Sequence, residues 1–580
     1  MSNKLIGRML AAQVLSAMTV SLCLLIDNIM INRFLGMEAI AAYELANPVL
    51  LIIGALASVL SAGVQVACSK SLGEGSQEET NRGYSTAVAI MLAVSLPFTV
   101  FVLLLRGPLA SAMGAGSSPG LFSMTKDYLA GFVIGAPATM AALILVPFLQ
   151  MAGKSGLLIA AVLGMTVSDV AFDLLNVLVF HGGMFGMGLA SSLSYYVALL
   201  TALFYFLSRK CAFRFSRRLI SRKKAAELFR GGFPSAFTMV SGVLMVFFMN
   251  RLLMRTGGAE AVAAYAVISG ILNVSNSVST GMNGVTLTLS GILYSEEDRN
   301  GLRRLLSALP KFGALLGLAA SALFFVLAPA CVSLFLPDEG TTRTMAILGV
   351  RLTSLGLFPC CLVNVAKSFY QGTGRVPQME ALSVLEGVVL PAACAWLAGL
   401  ALGVSGIWLF FVLGEVLTLV CVFLYGWGQY RQGKNPILQD SFGVPPENVL
   451  EAELPDLPQV VTFSRQAEDF CLDRGGSSLF AHRIALCIEE TAGNIVTHGF
   501  RPDGNSHLSV RLQRKPGLWI LRFRDDCRAF DPVHYVPPEG AENGLGLRLV
   551  LGMADEARYT WSLNLNNLTI LLREAPSAEE

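Results

Sequence analysis

The chain has 580 residues, 54% of them hydrophobic and only 14% charged, with a formal net charge of +2. So few charges exclude an ordinary soluble protein, and a net charge this small says little about partners. Eleven Cys lie scattered with no Cys-x-x-Cys pair, and the five His are isolated, so neither a disulfide framework nor a zinc site is implied.

Met1 to Leu10 leads into an apolar stretch with no small-residue cleavage site, which reads as a first transmembrane helix and not a signal peptide. Apolar segments of spanning length, about 20 residues each, run over 9–31, 49–68, 86–105, 128–149, 157–180 and 184–207. A second set runs over 233–253, 261–293, 312–336, 345–370, 381–402 and 406–425. Between the sets, nine Lys and Arg from Arg209 to Arg230 face the single acid Glu227. Flanked by apolar spans, this run marks a cytoplasmic loop better than a nucleic-acid site. The expected membrane half is all-α, with about twelve helices: a lobe over 1–208, the basic loop over 209–232 and a second lobe over 233–428. An even helix count on that topology places both termini in the cytoplasm.

The lobes repeat. Asn32-Arg33-Phe34-Leu35 recurs as Asn250-Arg251-Leu252-Leu253, and Phe148-Leu149-Gln150 before Gly153-Lys154 recurs as Phe369-Tyr370-Gln371 before Gly374-Arg375. Units with an even number of spans must be parallel repeats, related by an axis along the membrane normal. Asp27 lies in the first span, and Asp169 and Asp173 lie in the fifth, at i, i+4 with Asn176 one turn on. Carboxylates in hydrocarbon cost about 2.5–3.5 kcal/mol on insertion scales, so they mark an ion path, or else serve as structural hydrogen-bonding groups. Shifted to the second lobe, Asp27 lands near Met245 and Asp173 near Cys394, so coupling is expected in the first lobe; Glu386 and Glu415 are weaker second-lobe candidates.

A Pro-rich, polar linker (429–448) precedes a segment of ordinary globular composition (449–580). Helices near 460–474, 479–498 and from Gly544, and strands near 507–514, 518–524, 558–563 and 569–573, predict a two-layer α/β domain. Glu490 and Asn494 share a helix face, fit to activate a nucleophile and hold Mg²⁺; a later Asp can read an adenine amino group and a Gly-x-Gly turn can approach phosphate. Gly153-Lys154-Ser155 is not a phosphate loop, because Phe148 stands where that loop needs Gly.

Leu25-Ile26-Asp27-Asn28, Asn32 to Gly36, Gly63-Val64-Gln65 and Gly232-Phe233-Pro234-Ser235-Ala236 resemble the multidrug and toxic-compound extrusion (MATE) family over about 1–430. The resemblance implies two six-helix lobes in a bacterial cytoplasmic membrane, exporting small, cationic organic compounds in exchange for H⁺ or Na⁺. The family also carries acids in its first and fifth helices, with Asn more usual at the place of Asp169. The coupling set is thus Asp27, Asp169, Asp173 and Asn176.

The C-terminal segment resembles the GHKL nucleotide-binding superfamily, closest to the anti-sigma-factor serine/threonine kinases. That resemblance assigns Glu490 as general base, Asn494 as Mg²⁺ ligand, and Asp525, Phe530, Gly544 and Gly546 to ATP binding. Cys527 and Ala529 depart from its usual glycines. It implies phosphorylation of a soluble anti-anti-sigma-like regulator. The flexible linker and the missing phosphate loop predict that ATP does not drive helix motion directly. Rival readings are a membrane sensor that signals through the kinase module, and a lipid-linked-precursor flippase.

Overall fold

A computed structural model describes residues 3–208, 211–336, 339–432, 442–501, 506–535 and 545–574. All twelve predicted spans lie on helices. The first lobe comprises α1 (Asn3–Leu35), α2 (Met37–Gly73), α3 (Gln77–Ala112), the pair α4 (Pro119–Val133) and α5 (Ala136–Met151), α6 (Ser155–Leu175) and α7 (Gly183–Phe206). The second comprises α8 (Arg222–Ser275), α9 (Ser277–Ser295), α10 (Arg299–Ser333), the pair α11 (Thr341–Ser354) and α12 (Leu357–Gly372), then α13 (Val376–Val384), α14 (Leu390–Leu402), α15 (Val404–Ile407) and α16 (Phe410–Arg431). Gly258, at φ 67°, divides α8 into one span and the start of the next. Ten described segments are long and apolar enough to cross a membrane, and twelve do so when each bent pair counts as one.

Both pairs bend by 46°. A bend frees main-chain groups that hydrocarbon cannot satisfy. At the first bend Ser192 on α7 satisfies them, accepting from Gly135 N at 2.9 Å and donating to Gly131 O at 2.8 Å.

The repeat extends to backbone conformation. Left-handed φ occurs at Gly36, Gly75, Gly153 and Gly183, and again at Gly258, Glu297, Gly374 and Gly403, an offset of 220–222 residues. The helix after the second member of each set is capped alike: Ser76 Oγ accepts from Glu79 N, and Asp298 Oδ1 from Gly301 N. The lobes meet through pseudo-symmetric packing of α2 on α8 and α1 on α9. A Cβ on Gly63 would lie 1.9 Å from Leu228 O, and one on Gly232 would lie 1.8 Å from Val59 O, so only glycine permits this crossing.

The C-terminal domain contains β1 (Val449–Glu453), α17 (Leu457–Leu472), α18 (Ser478–Asn494), β2 (Leu508–Lys515), β3 (Leu518–Asp525), α19 (Leu545–Met553), β4 (Glu556–Ser562) and β5 (Leu565–Leu572). The antiparallel sheet has the order β1-β2-β3-β5-β4. Edge strand β1 is an addition to the expected elements. Val510, Leu512, Leu521, Phe523 and Ile570 point to one face and pack with Phe463, Ile484 and Ile488 from α17 and α18. The intervening positions, Arg511, Lys515, Arg522 and Arg524, turn the opposite face toward the membrane lobes.

Candidate functional sites: an acidic cavity and a nucleotide pocket

A cavity of about 450 Å³ lies between the lobes, lined by Asp27, Tyr43, Asp169 and Ser191 from the first and by Asn273 and Phe335 from the second. On α2 its lining runs from Tyr43 to Ala55, roughly 27–45 Å of helix before the end at Gly73. The cavity therefore sits toward the end of the bundle remote from the C-terminal domain.

Asp27 on α1 faces Asp169 and Asp173 on α6, close enough for the three charges to interact. Asp27 Oδ2 accepts from Ser191 Oγ at 3.2 Å. Asp27 Oδ1, Asp169 Oδ1 and both Asp173 oxygens are buried with no hydrogen-bond partner. Packed carboxyls of this kind require a proton or a cation to offset their mutual repulsion. Asn176, one turn beyond Asp173, opens the π-turn Asn176–Phe180, accepts from Gly182 N and donates to Gly183 O, both at 3.1 Å. Its amide is committed to the α6–α7 connection.

In the second lobe Met245 and Cys394 are buried apolar groups. A different polar cluster forms there. Lys367 on α12 pairs with Glu386 at 2.5 Å, and Glu415 lies buried beside them with Oε2 unpartnered. Cys360 completes the group, its Sγ and the two carboxylates lying within 4.8 Å of one another. The sequence reading found both acids and missed Lys367, the cation that pairs with Glu386.

In the C-terminal domain, Glu490 and Asn494 lie one turn apart at the end of α18. Glu489 is occupied, accepting from Ser464 Oγ at 2.5 Å. Glu490 faces Gly546 at the start of α19, where a Cβ would lie 1.8 Å from its Oε2; Gly544 falls outside the described residues. Asp525 ends β3, buried, with Oδ1 accepting from Asn566 Nδ2 at 2.7 Å and from Cys527 N at 3.0 Å. Burial raises its carboxyl above the ordinary value, against those two donors. Cys527 fills a glycine's usual place by packing on Gly499, whose missing side chain leaves the room. Its thiol is pushed up to about 12, by burial first and then by Asp525, and so stays neutral. Phe530 is half exposed, with its ring 5.1 Å from Tyr535 and its N–H donating to Asn566 Oδ1 at 3.1 Å. Asn566, also bonded by Tyr559 OH at 2.7 Å, is the site residue that motif reading missed. These groups suit a nucleotide: a buried acceptor, an exposed aromatic face and a carboxylate packed on the glycine at the start of α19.

The sheet face opposite this pocket is docked on the membrane lobes. Arg524 Nη2 meets Glu296 at 2.5 Å, Arg511 meets Asp298 at 2.7 Å and Lys515 meets Glu297 at 2.8 Å. Burial opposes ionisation of Asp298, but the Arg511 guanidinium and the Gly301 N–H outweigh it and hold the carboxyl below its ordinary value. On the first lobe, Arg558 donates to Glu74 O at 3.1 Å, and Leu563 N to Met151 O at 2.6 Å. Leu563 and Asn564 form the β4–β5 turn with φ of 56° and 62°. A left-handed Leu is strained. Its side chain is buried in one cluster with Ile6, Met9, Val285 and Leu289. Although residues 433–441 of the linker fall outside the described part, Phe442 beyond them stacks on Tyr294 of α9 at 4.5 Å. The domain is seated, not merely tethered.

Residues 13–180 and 234–397 match the MatE family model, and 454–571 match the histidine kinase-like ATPase domain model. An outward-facing conformation of a multidrug resistance MATE family transporter of the MOP superfamily superposes with a TM-score of 0.68, covering 74% of this chain and 96% of that chain at 22% identity. A MOP superfamily transporter from Pyrococcus furiosus, described as having a binding pocket of reverse polarity, gives 0.67 at the same coverage and identity. At that identity the likeness is one of fold. The serine/threonine-protein kinase BtrW of Bordetella bronchiseptica is 28% identical over 102 residues, 16% of this chain and 72% of that protein.

Proposed function

Because the chain belongs to the MatE family and joins that fold to a histidine kinase-like ATPase domain, we propose that it is a cation-coupled antiporter carrying a regulatory nucleotide-binding domain. It sits in a bacterial cytoplasmic membrane with both termini cytoplasmic, and exports small cationic organic compounds against H⁺ or Na⁺. The observation that carries this reading is the set of buried, unpartnered carboxyl oxygens on Asp27, Asp169 and Asp173, of which Asp27 and Asp169 line the interlobe cavity. Exchange follows if a proton or Na⁺ and a cationic substrate each neutralise the same acids and so compete for them.

In the ATPase-like domain, Asp525 accepts from the adenine amino group, Phe530 covers the base and the main-chain N–H groups at the start of α19, around Gly546, meet phosphate. Bound ATP and Mg²⁺ supply a transferable phosphoryl group, with Asn494 as protein ligand to the metal. Glu490 takes the proton from the Ser or Thr hydroxyl of a soluble anti-anti-sigma-like regulator.

Efflux of a cationic dye from vesicles under separately imposed H⁺ and Na⁺ gradients tests the transport reading: one gradient drives efflux. Absence of flux under both defeats it. Calorimetry of the full chain tests the nucleotide reading: Mg²⁺-ATP binds, and Asp525→Asn weakens it about tenfold, the worth of one hydrogen bond of ~1.4 kcal/mol. Wild type that does not bind defeats that reading.

A further inference from the structure

The ATPase-like domain touches both lobes, and the same strands that reach the transporter also build its nucleotide pocket. We infer that the domain is a nucleotide-released clasp, holding the lobes together at their cytoplasmic ends until ATP binds; this rests on the nucleotide reading above.

The bridging is direct. The β4–β5 turn and Arg558 hold the first lobe at Met151 and Glu74, while Arg511, Lys515 and Arg524 hold the second at Asp298, Glu297 and Glu296. A Cβ on Gly153 would lie 2.4 Å from Asn564 N, so the turn is fitted against this loop of the first lobe. The cavity lies at the far end of the bundle, and between it and the clasp the lobes are closed by the Gly63 and Gly232 crossings. A transporter that passes a solute must open this end in turn. A rigid body bonded to both lobes opposes that opening.

The link to nucleotide runs through adjacent residues on alternating faces. On β3, Asp525 faces the pocket and Arg524 faces the transporter. On β5, Asn566 bonds Asp525 at 2.7 Å and Asn567 bonds Arg524 at 2.7 Å. An adenine amino group taken up by Asp525 joins the carboxylate whose Oδ1 Asn566 and Cys527 already hold, and so loads the same network. The residues of that network are joined by single peptide bonds to Arg524, which pairs with Glu296, and to Asn567, which holds Arg524. Binding alone suffices, so the clasp regulates transport without energising it.

The test uses full-length protein in proteoliposomes with Mg²⁺-ATP on the domain side. ATP, and equally a non-hydrolysable analogue, raises ion-driven dye efflux several-fold and lowers hydrogen-exchange protection at Glu296 to Asn300. Glu296→Gln is fast without ATP and indifferent to it, while calorimetry shows ATP still bound. If that variant does not fold, Arg524→Gln serves, and the exchange Glu296→Arg with Arg524→Glu restores ATP control. Unchanged efflux and protection in wild type that binds ATP overturn the clasp alone. A wild type that does not bind ATP overturns the clasp together with the nucleotide reading. A seam variant that still responds to ATP also overturns it.

Discussion

The two lobes share a backbone and differ in chemistry. Left-handed positions and helix caps recur at an offset of 220–222 residues, yet the first lobe buries three acids, two of them lining a cavity, while the second buries a Lys–Glu pair with an extra Glu. The same asymmetry recurs at the seam. Glu74, Gly75 and Ser76 correspond to Glu296, Glu297 and Asp298, but the domain takes a main-chain carbonyl from the first set and three carboxylates from the second. Backbone geometry has outlasted side-chain divergence because a tight connection between two spans needs a left-handed residue at a set place. Side chains on that frame are free to diverge, so one lobe gathers acids alone while the other sets a lysine among its acids.

The most severe break of this comparison is Asp27→Asn or Asp173→Asn. Each is expected to reduce ion-driven efflux to the background of empty vesicles while the detergent-purified protein stays monodisperse. Wild-type rates in both would end the first lobe's special status. Next in size is Lys367→Met, which strands Glu386 in a buried site and costs about 3–5 kcal/mol of stability, read as a lowered melting temperature. Adding Glu386→Gln should recover most of that loss, as expected of a structural pair and not of an ion path. The smallest effect concerns the seam. Asp298 has a lowered folded carboxyl, so its contribution is present above the unfolded value of about 3.9 and is lost as pH falls through the folded value. Hydrogen exchange below about pH 4 should therefore loosen residues 296–300 before residues 74–76. Simultaneous loosening would show that the two contacts are not chemically distinct.

The spans, the repeat and the shared helix of Glu490 and Asn494 were legible because each is a local pattern: length of apolar run, repeated words, helical spacing. What was not legible depends on contact between distant segments. Lys367 reads as a stray charge until Glu386 is beside it. Asn566 is an unremarkable strand residue until it meets Asp525. The sheet's four basic side chains look like a solvated face, and the acids that meet them lie more than 200 residues earlier in a loop between two spans. The bends at Gly135 and Gly356 were hidden because one apolar run covers both halves of each pair.

Leu563 has a consequence for how the molecule is made. The buried cluster it joins includes Ile6 and Met9 from the start of the chain and Val285 and Leu289 from its middle, while the turn that carries it lies near the end. Synthesis delivers these pieces in sequence order, with the ATPase-like domain last. Its final seat does not exist until helices made much earlier have inserted and come together. Docking of the domain thus reports on completed assembly, and a chain whose lobes have failed to pair leaves that leucine and its basic sheet exposed, a marked surface for quality-control proteases to find.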